Sequence, residues 1–207
     1  SAQRTGRTGG SKRAGVEPDG GAKLPAGLYL VATPIGNAAD ITLRALDVLR
    51  DAAVIACEDT RTTSKLLAIH GIKTPLGAYH DHNAHIAGPA LVSRIRSGDA
   101  VALVSDAGTP LVSDPGYRLV EGCLAEGFAV VPIPGPSAVL AALSVAGLPT
   151  DRFYFAGFTP GRSAARGRFL AQLATVDASL VILESPRRLA ESLAAMAAAF
   201  GARQAAV

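Results

Sequence analysis

The sequence contains no tryptophan, a single methionine and two cysteines among 207 residues. Cys57 and Cys123 stand far apart and form no CxxC pair. They read as buried thiols of a reducing compartment rather than as a disulfide or a zinc site, which would need more ligands at closer spacing. No uninterrupted run of eighteen apolar residues is present, which excludes a membrane-spanning helix on the hydropathy criterion. The N-terminal stretch lacks the charged-then-apolar layout of a secretory signal, so the cytoplasm is the expected compartment. Several chemical signatures are also missing. No GxGxxG follows the first apolar run and no GxxxxGK[ST] occurs, so dinucleotide and P-loop nucleotide sites are disfavoured. No HExxH, no paired-cysteine pattern and no GxSxG elbow appears, and no metal is expected.

What the chain does have is apolar material, at 49% of residues, and many turn formers, with 22 glycines and 13 prolines. This suits one large domain or two small ones. The net charge is +3, unevenly spread. Residues 1–23 carry five basic against two acidic side chains, residues 24–150 eight against eleven, and residues 151–207 seven against four. The two ends are therefore the parts suited to phosphate. Residues 1–25 are rich in Gly, Ser, Thr and charge and lack apolar periodicity, so a disordered basic tail is expected there.

Beyond it, apolar strands alternate with amphipathic helices. LYLVAT, AAVIAC, LGAY, AVALVSD and FAVVPI read as strands. Asp40 is expected to N-cap a helix through ITLRALDVLRDA, with Ile41, Ala45, Val48 and Leu49 on one face. TTSKLLAIH reads as a short helix stopped by Gly71. HIAGPALVSRIRSG reads as a helix with Ile86, Ala90 and Ile95 inward, and YRLVEGCLAEG and SAVLAALSVAG as two more. The alternation predicts an α/β fold with a largely parallel N-terminal sheet over residues 26–148. GLPTDR reads as a linker. A smaller α/β C-terminal domain over 149–207 follows, with strands FYFAGF and SLVILES and helices ARGRFLAQLAT and PRRLAESLAAMAAAF. About 55 residues is small for an independent domain, so it is expected to be partial.

Ligands of open α/β sheets bind beyond the C-terminal strand ends. The unusual residues fall there: Thr33-Pro34-Ile35-Gly36-Asn37, Glu58-Asp59-Thr60-Arg61, Ser105 to Pro110 with Ser113-Asp114-Pro115-Gly116, Pro134-Gly135-Pro136-Ser137, and Glu184-Ser185-Pro186-Arg187-Arg188. Each turn joins Gly or Pro to a hydroxyl or carboxylate, and five such turns at one sheet edge predict a cleft for a small polar ligand. Residue chemistry alone goes no further than that.

The segments LYLVATPIGNAADIT, VIACEDTRTTSKLL, YHDHN, VALVSDAGTPLVSDPGYRLV, VVPIPGPSAVLAAL, FYFAGFTP and VILESPRRL resemble, in order, the motifs of the tetrapyrrole methylase superfamily, in its branch of 16S ribosomal RNA cytidine 2′-O-methyltransferases. The resemblance runs from about Leu28 to about Ala198. It implies a two-domain fold with S-adenosylmethionine in the interdomain cleft, a homodimer, and methylation of a cytidine ribose near the decoding centre of the small ribosomal subunit. Matched by motif, the cofactor would meet Pro34, Gly36 and Asn37; Asp106, Ala107, Gly108 and Thr109; and Pro134, Gly135, Pro136, Ser137 and Ala138. A cationic sulfonium would favour a nearby Asp106 or Asp114. The family pattern continues with Glu where this chain has Ala84, so no carboxylate role carries over there.

Glu58, Asp59 and His80 are the expected proton acceptors, with His82 and Glu184 further choices. Arg61, Arg187 and Arg188 are expected to grip RNA phosphates, and Arg162, Arg166 and Arg168 form a second basic stretch. Two other readings stay open. One is a methyltransferase acting on a corrin or porphyrin carbon, against which TPIGN, CEDTR and ESPRR speak. The other is a non-catalytic RNA-binding module.

Overall fold

The computed structural model describes residues 24–207. The expected basic tail therefore lies outside the described residues, apart from its last two positions. Five parallel strands form the first sheet: β1 (Gly27–Val31), β2 (Val54–Cys57), β3 (Leu76–Ala78), β4 (Ala100–Val104) and β5 (Val130–Ile133), in the order β3-β2-β4-β1-β5. β2 and β4 are buried along their whole length. Their unbroken apolar runs are what a strand covered on both faces requires.

The covering helices are α1 (Leu43–Asp51), α2 (Thr60–Ile69), α3 (Ala84–Arg96) and α4 (Tyr117–Ala125). Tyr29, Val31, Ile55, Cys57, Ala102 and Val104 pack with α1 and α2 residues such as Val48, Leu49 and Leu67. The alternate positions Leu28, Ala56, Val101 and Leu103 pack with α3 and α4 residues such as Leu91, Ile95, Leu119 and Cys123. The two-residue period of each strand thus feeds two separate cores, one per face. Cys57 and Cys123 are both buried and unpaired.

Two local expectations are corrected. Asp40 ends a short 3₁₀ turn (Ala38–Asp40), and Thr42 caps α1 instead, accepting from the Ala45 N–H at 3.2 Å. Thr42→Ala is expected to cost about 1 kcal/mol, read as a lower urea midpoint. In α3, Ile86 is 70% exposed and Ala90 is exposed as well. The inward face is Ala84, Gly88, Leu91, Val92 and Ile95, two of whose members are too small to register as apolar signal.

After α5 (Ala138–Val145), the strands β6 (Phe153–Phe158) and β7 (Ser179–Leu183) pair in parallel as a separate two-stranded sheet, with α6 (Ser163–Leu173) and α7 (Leu189–Phe200). The turn after β7 therefore does not share a sheet with the other four turns, contrary to the single edge expected. The β6 register shifts between Phe155 and Gly157, where Gly157 has φ +71°, a bulge that glycine accommodates. A Cβ on Gly157 would lie 3.5 Å from Ser113 Oγ, so this bulge is where β6 meets the loop between β4 and α4.

Candidate functional site

The chain leaves β1 toward one face of the sheet and β4 toward the other. Between these neighbours lies the topological switch point, where open α/β sheets place their ligands. The structure stitches the turns together at that crevice. Thr33 and Gly108 exchange backbone hydrogen bonds, Thr33 N–H to Gly108 O at 2.9 Å and Gly108 N–H to Thr33 O at 3.0 Å. The buried Thr33 hydroxyl donates to Ser105 O at 3.1 Å, and Ser105 Oγ donates to Gly108 O at 3.1 Å. Thr109 Oγ1 donates to Pro136 O at 3.2 Å, tying in the β5 turn.

Gly108 holds φ +86° with Ile35 and Pro136 against its α-carbon, a backbone shape and a closeness that suit glycine. Pro34, Gly36, Asn37, Asp106, Ala107, Thr109, Pro134, Gly135, Ser137 and Ala138 sit on these same three converging turns. Asn37 Oδ1 accepts from the Ala39 N–H at 3.1 Å, and Ser137 Oγ caps α5. An open cavity of about 590 Å³ lies beside them, lined by Ile35, Gly135, Pro136 and Ser137 and also by Asp40, Thr42 and Leu140. The sequence does not mark the last three as cleft residues, because Asp40 ends the 3₁₀ turn, Thr42 caps α1 and Leu140 lies on α5.

The loop from Ser105 to Gly116 is held under backbone strain. Leu111 and Ser113 both have positive φ, at 71° and 65°, a cost that the surrounding structure must impose. At its end Gly116 has φ +139°, and a Cβ there would come within 2.9 Å of Leu103 Cδ2. Asp114 is carried on this strained stretch. Burial, then the negative charges of Glu58 and Asp106, push its carboxyl up to about 6.

Asp106 Oδ1 accepts from the Asp59 N–H at 3.2 Å, joining the β2 turn to the β4 turn. Asp59 itself caps α2 and holds Arg61, Oδ1 to Nε at 3.0 Å and Oδ2 to Nη2 at 2.7 Å. Those contacts hold its carboxyl at about 2, which makes it a weak proton acceptor at neutral pH and leaves its charge matched by Arg61. Glu58, Asp106 and Asp114 therefore give the crevice a negative edge. Among the described residues no three His, Cys, Asp or Glu side chains gather as a metal site would need.

His80 follows β3, the outermost strand, so it lies two strand spacings (roughly 10 Å) across the sheet from β4. Its ring meets His82 edge-on with centroids 6.0 Å apart, and its Nδ1 is buried without a partner.

At the second sheet, Glu184 and Arg188 have inward roles. Glu184 has a side chain only 5% exposed and pairs with Arg188 Nη2 at 2.7 Å. It also accepts from Ser192 Oγ, Thr159 Oγ1 and the Ser185 N–H. Burial would raise its carboxyl, but Ser192, Thr159, Ser185 and Arg188 outweigh that and hold it at about 2, which removes it as a proton acceptor. Arg188 Nη1 donates to Thr159 O at 3.3 Å. The expectation of Arg188 as a free phosphate contact is corrected: its guanidinium is spent on the fold. Arg166, expected on an exposed basic stretch, is 3% exposed and pairs with Glu191 between α6 and α7. Arg187 is exposed.

The model of the tetrapyrrole (corrin/porphyrin) methylases matches residues 27–207. A ribosomal RNA small subunit methyltransferase I of Mesorhizobium japonicum is 59% identical over 86% of this chain and 60% of its own length. The protein of the same name from Pseudomonas aeruginosa is 51% identical over 87% of this chain and 64% of its own. The chain thus spans 60% and 64% of the length of these curated relatives. Among solved structures, a diphthine synthase aligns with TM-score 0.64 and 19% identity over 83% of this chain and 71% of that one. A uroporphyrin-III-C-methyltransferase of Thermus thermophilus aligns with TM-score 0.56 and 24% identity over 82% and 73%. At those identities the two structures speak for the fold alone.

Proposed function

The chain belongs to the tetrapyrrole (corrin/porphyrin) methylase family, and on that premise we propose that it transfers a methyl group from S-adenosylmethionine to the 2′-oxygen of a cytidine ribose in 16S ribosomal RNA. The observation that carries this reading is the electrostatic character of the crevice. Three carboxylates, Glu58, Asp106 and Asp114, sit at the switch point with no cation paired to them among the described residues. Such an edge repels the phosphates of a nucleotide cofactor and suits a cofactor that carries positive charge instead. The stitched turns of Pro34 to Asn37, Asp106 to Thr109 and Pro134 to Ala138 would hold that cofactor through backbone groups. When bound, S-adenosylmethionine supplies an electrophilic methyl on a cationic sulfonium.

The chain's own part is positioning and proton handling. The Thr33–Gly108 bridge and the Thr109–Pro136 contact fix the turns relative to one another, which sets the alignment that displacement chemistry demands. Asp114 takes the hydroxyl proton at a carboxylate oxygen. Its raised pKa places it near the operating range of a general base, where Asp59 and Glu184 are held as weak bases. Glu58, the neighbour whose charge raises Asp114, sustains that poise. Choice of RNA over a tetrapyrrole rests on the curated relatives, both named as ribosomal RNA methyltransferases. Arg187 is the exposed cation of the ESPRR turn left to meet phosphate.

The test is transfer of labelled methyl to small ribosomal subunits that lack the mark. Label recovered in one 2′-O-methylcytidine is the expected result. Label in a tetrapyrrole and none in RNA would reverse the choice of substrate. Cofactor binding without transfer would assign the reaction to the part of the relatives that this chain does not span. Sedimentation of the same preparation tests the expected homodimer.

A further inference from the structure

A groove between α3 and α4 lies outside the crevice. Both helices run antiparallel to the strands, so their first turns lie at the same sheet edge as the crevice and their last turns at the opposite edge. Gly88 on α3 and Gly122 on α4 present no side chain where the helices approach. A Cβ on Gly88 would lie 3.9 Å from Tyr79 Cε2, and one on Gly122 would lie 3.6 Å from Val92 Cγ2. The helices therefore leave a channel of about 380 Å³ floored by the buried Tyr79 ring.

Its walls are charged in a definite order. His85 and Arg118 stand at the end nearest the crevice, and Arg96 and Glu126 stand at the far end. By helical rise the span from His85 to Arg96 is about 16 Å. Arg96 is committed to Glu126, with Nε to Oε2 at 3.1 Å. Arg118 is different: among the described residues it has no ion-pair partner and no side-chain hydrogen bond. Asp81 and Arg118 both act on the Tyr79 hydroxyl, with opposite sign, yet they do not pair with each other.

An arginine with neither an ion pair nor a side-chain hydrogen bond is unusual among the described residues of this part of the chain, where eleven acidic side chains face eight basic ones over residues 24–150. Arg50, Arg61, Arg94 and Arg96 have carboxylate partners, and Arg44 donates to Pro132 O at 3.4 Å. Arg118 thus lines an open channel at its crevice end, beside the buried Tyr79, without a partner of its own. We infer that the α3–α4 groove is a docking channel for the RNA backbone, with Arg118 and His85 gripping a phosphodiester that leads toward the switch-point crevice. The inference rests on the RNA reading of the preceding section. It adds to that reading a second contact surface, separate from the ESPRR turn. The geometry also explains how an acidic crevice can work on a polyanion. The phosphates are held by cations beside the crevice, and only the ribose reaches the carboxylates.

The probes are naked 16S ribosomal RNA and purified small subunits, with affinity measured across a range of salt. Arg118→Glu is expected to weaken binding to both by at least tenfold near 0.1 M salt. It should also reduce the slope of log K against log salt by about one, with cofactor affinity by calorimetry unchanged. Glu126→Gln, which releases Arg96 into the groove, is expected to tighten binding by about twofold and steepen the slope. Opposite signs from two substitutions in one groove cannot come from misfolding. An unchanged slope for Arg118→Glu overturns the inference and leaves the RNA reading standing. So does a loss of affinity that tracks dissociation of a dimer in sedimentation, which would make the groove a contact between copies. A wild-type protein that binds neither probe overturns the RNA reading itself, and the groove assignment with it.

Discussion

Asp114→Asn is expected to lower kcat by a hundredfold or more while changing cofactor affinity by only a few-fold. Removing a positioned general base costs on the order of 10²–10⁴ in rate. The amide keeps the shape of the side chain in its strained loop but has no lone pair basic enough to take the hydroxyl proton. The pH profile carries the sharper signature. With the carboxyl pushed up to about 6, wild-type turnover is expected to be present above that pH and to fall as pH drops through it. The residual rate of the variant should not share that limb.

Stability should move the other way. A carboxyl whose folded pKa lies above its unfolded value binds more protons in the native state between the two. Its contribution to stability therefore declines as pH rises from about 4 to about 6, and above that range the ionised group is a net cost. Asp114→Asn removes the cost, so the variant is expected to resist urea better than the wild type at pH 8 and to lose that advantage near pH 4. A slower but more stable enzyme is the pattern of a group kept for chemistry rather than for packing. A variant with wild-type kcat and an unaltered acid limb would transfer the base role to Glu58.

The reason a base role for Asp114 is hard to see in the sequence is topological. Fifty-six positions separate it from Glu58, and only the insertion of β4 between β2 and β1 makes them neighbours. Strand order is not written in hydrophobic periodicity; the strands themselves are. VIAC and AVALV read correctly as strands because a parallel strand covered on both faces is one unbroken apolar run. Gly71 reads correctly as a helix stop because its φ of +65° needs glycine.

The failures have equally specific causes. Asp40 and Thr42 are both good caps, and the 3₁₀ turn that takes up Asp40 leaves no local trace. Ile86 looks inward by residue type, but the α3 face that packs contains Ala84 and Gly88, chosen for closeness rather than hydrophobicity. The turns around the crevice were legible because glycine, proline and hydroxyls cluster there. The hydrogen bonds that lock those turns together were not, since Thr33 and Gly108 meet only when β1 and β4 pair. Charged residues were the least legible class. Arg166, Arg187 and Arg188 look alike in sequence, yet the first is buried on Glu191, the second is exposed and the third is turned inward onto Glu184.

That last difference carries the largest expected loss of stability. Glu184→Gln would leave the donors of Ser192, Thr159 and Arg188 facing an amide that offers one acceptor and adds two donors. Breaking a buried, hydrogen-bonded ion pair by changing one partner costs about 3 kcal/mol or more. The loss should fall on the two-stranded unit, because Thr159 follows β6, Glu184 follows β7 and Ser192 lies on α7. Hydrogen exchange is expected to show β6, β7 and α7 opening in the variant while β1, β2 and β4 stay protected.

Acid provides an independent check on the same network. Glu184 is held at about 2 in the folded chain, below its ordinary 4.5. Its contribution is therefore complete above about pH 4.5 and is lost as pH falls toward 2. Wild-type protection of the second unit should decline over that window, and the variant's should not. If Glu184→Gln protected β6 and β7 as well as the wild type does and kept the same acid sensitivity, Glu184 would not be the group holding Arg188. That guanidinium would then rejoin Arg187 among the cations free to meet the proposed RNA.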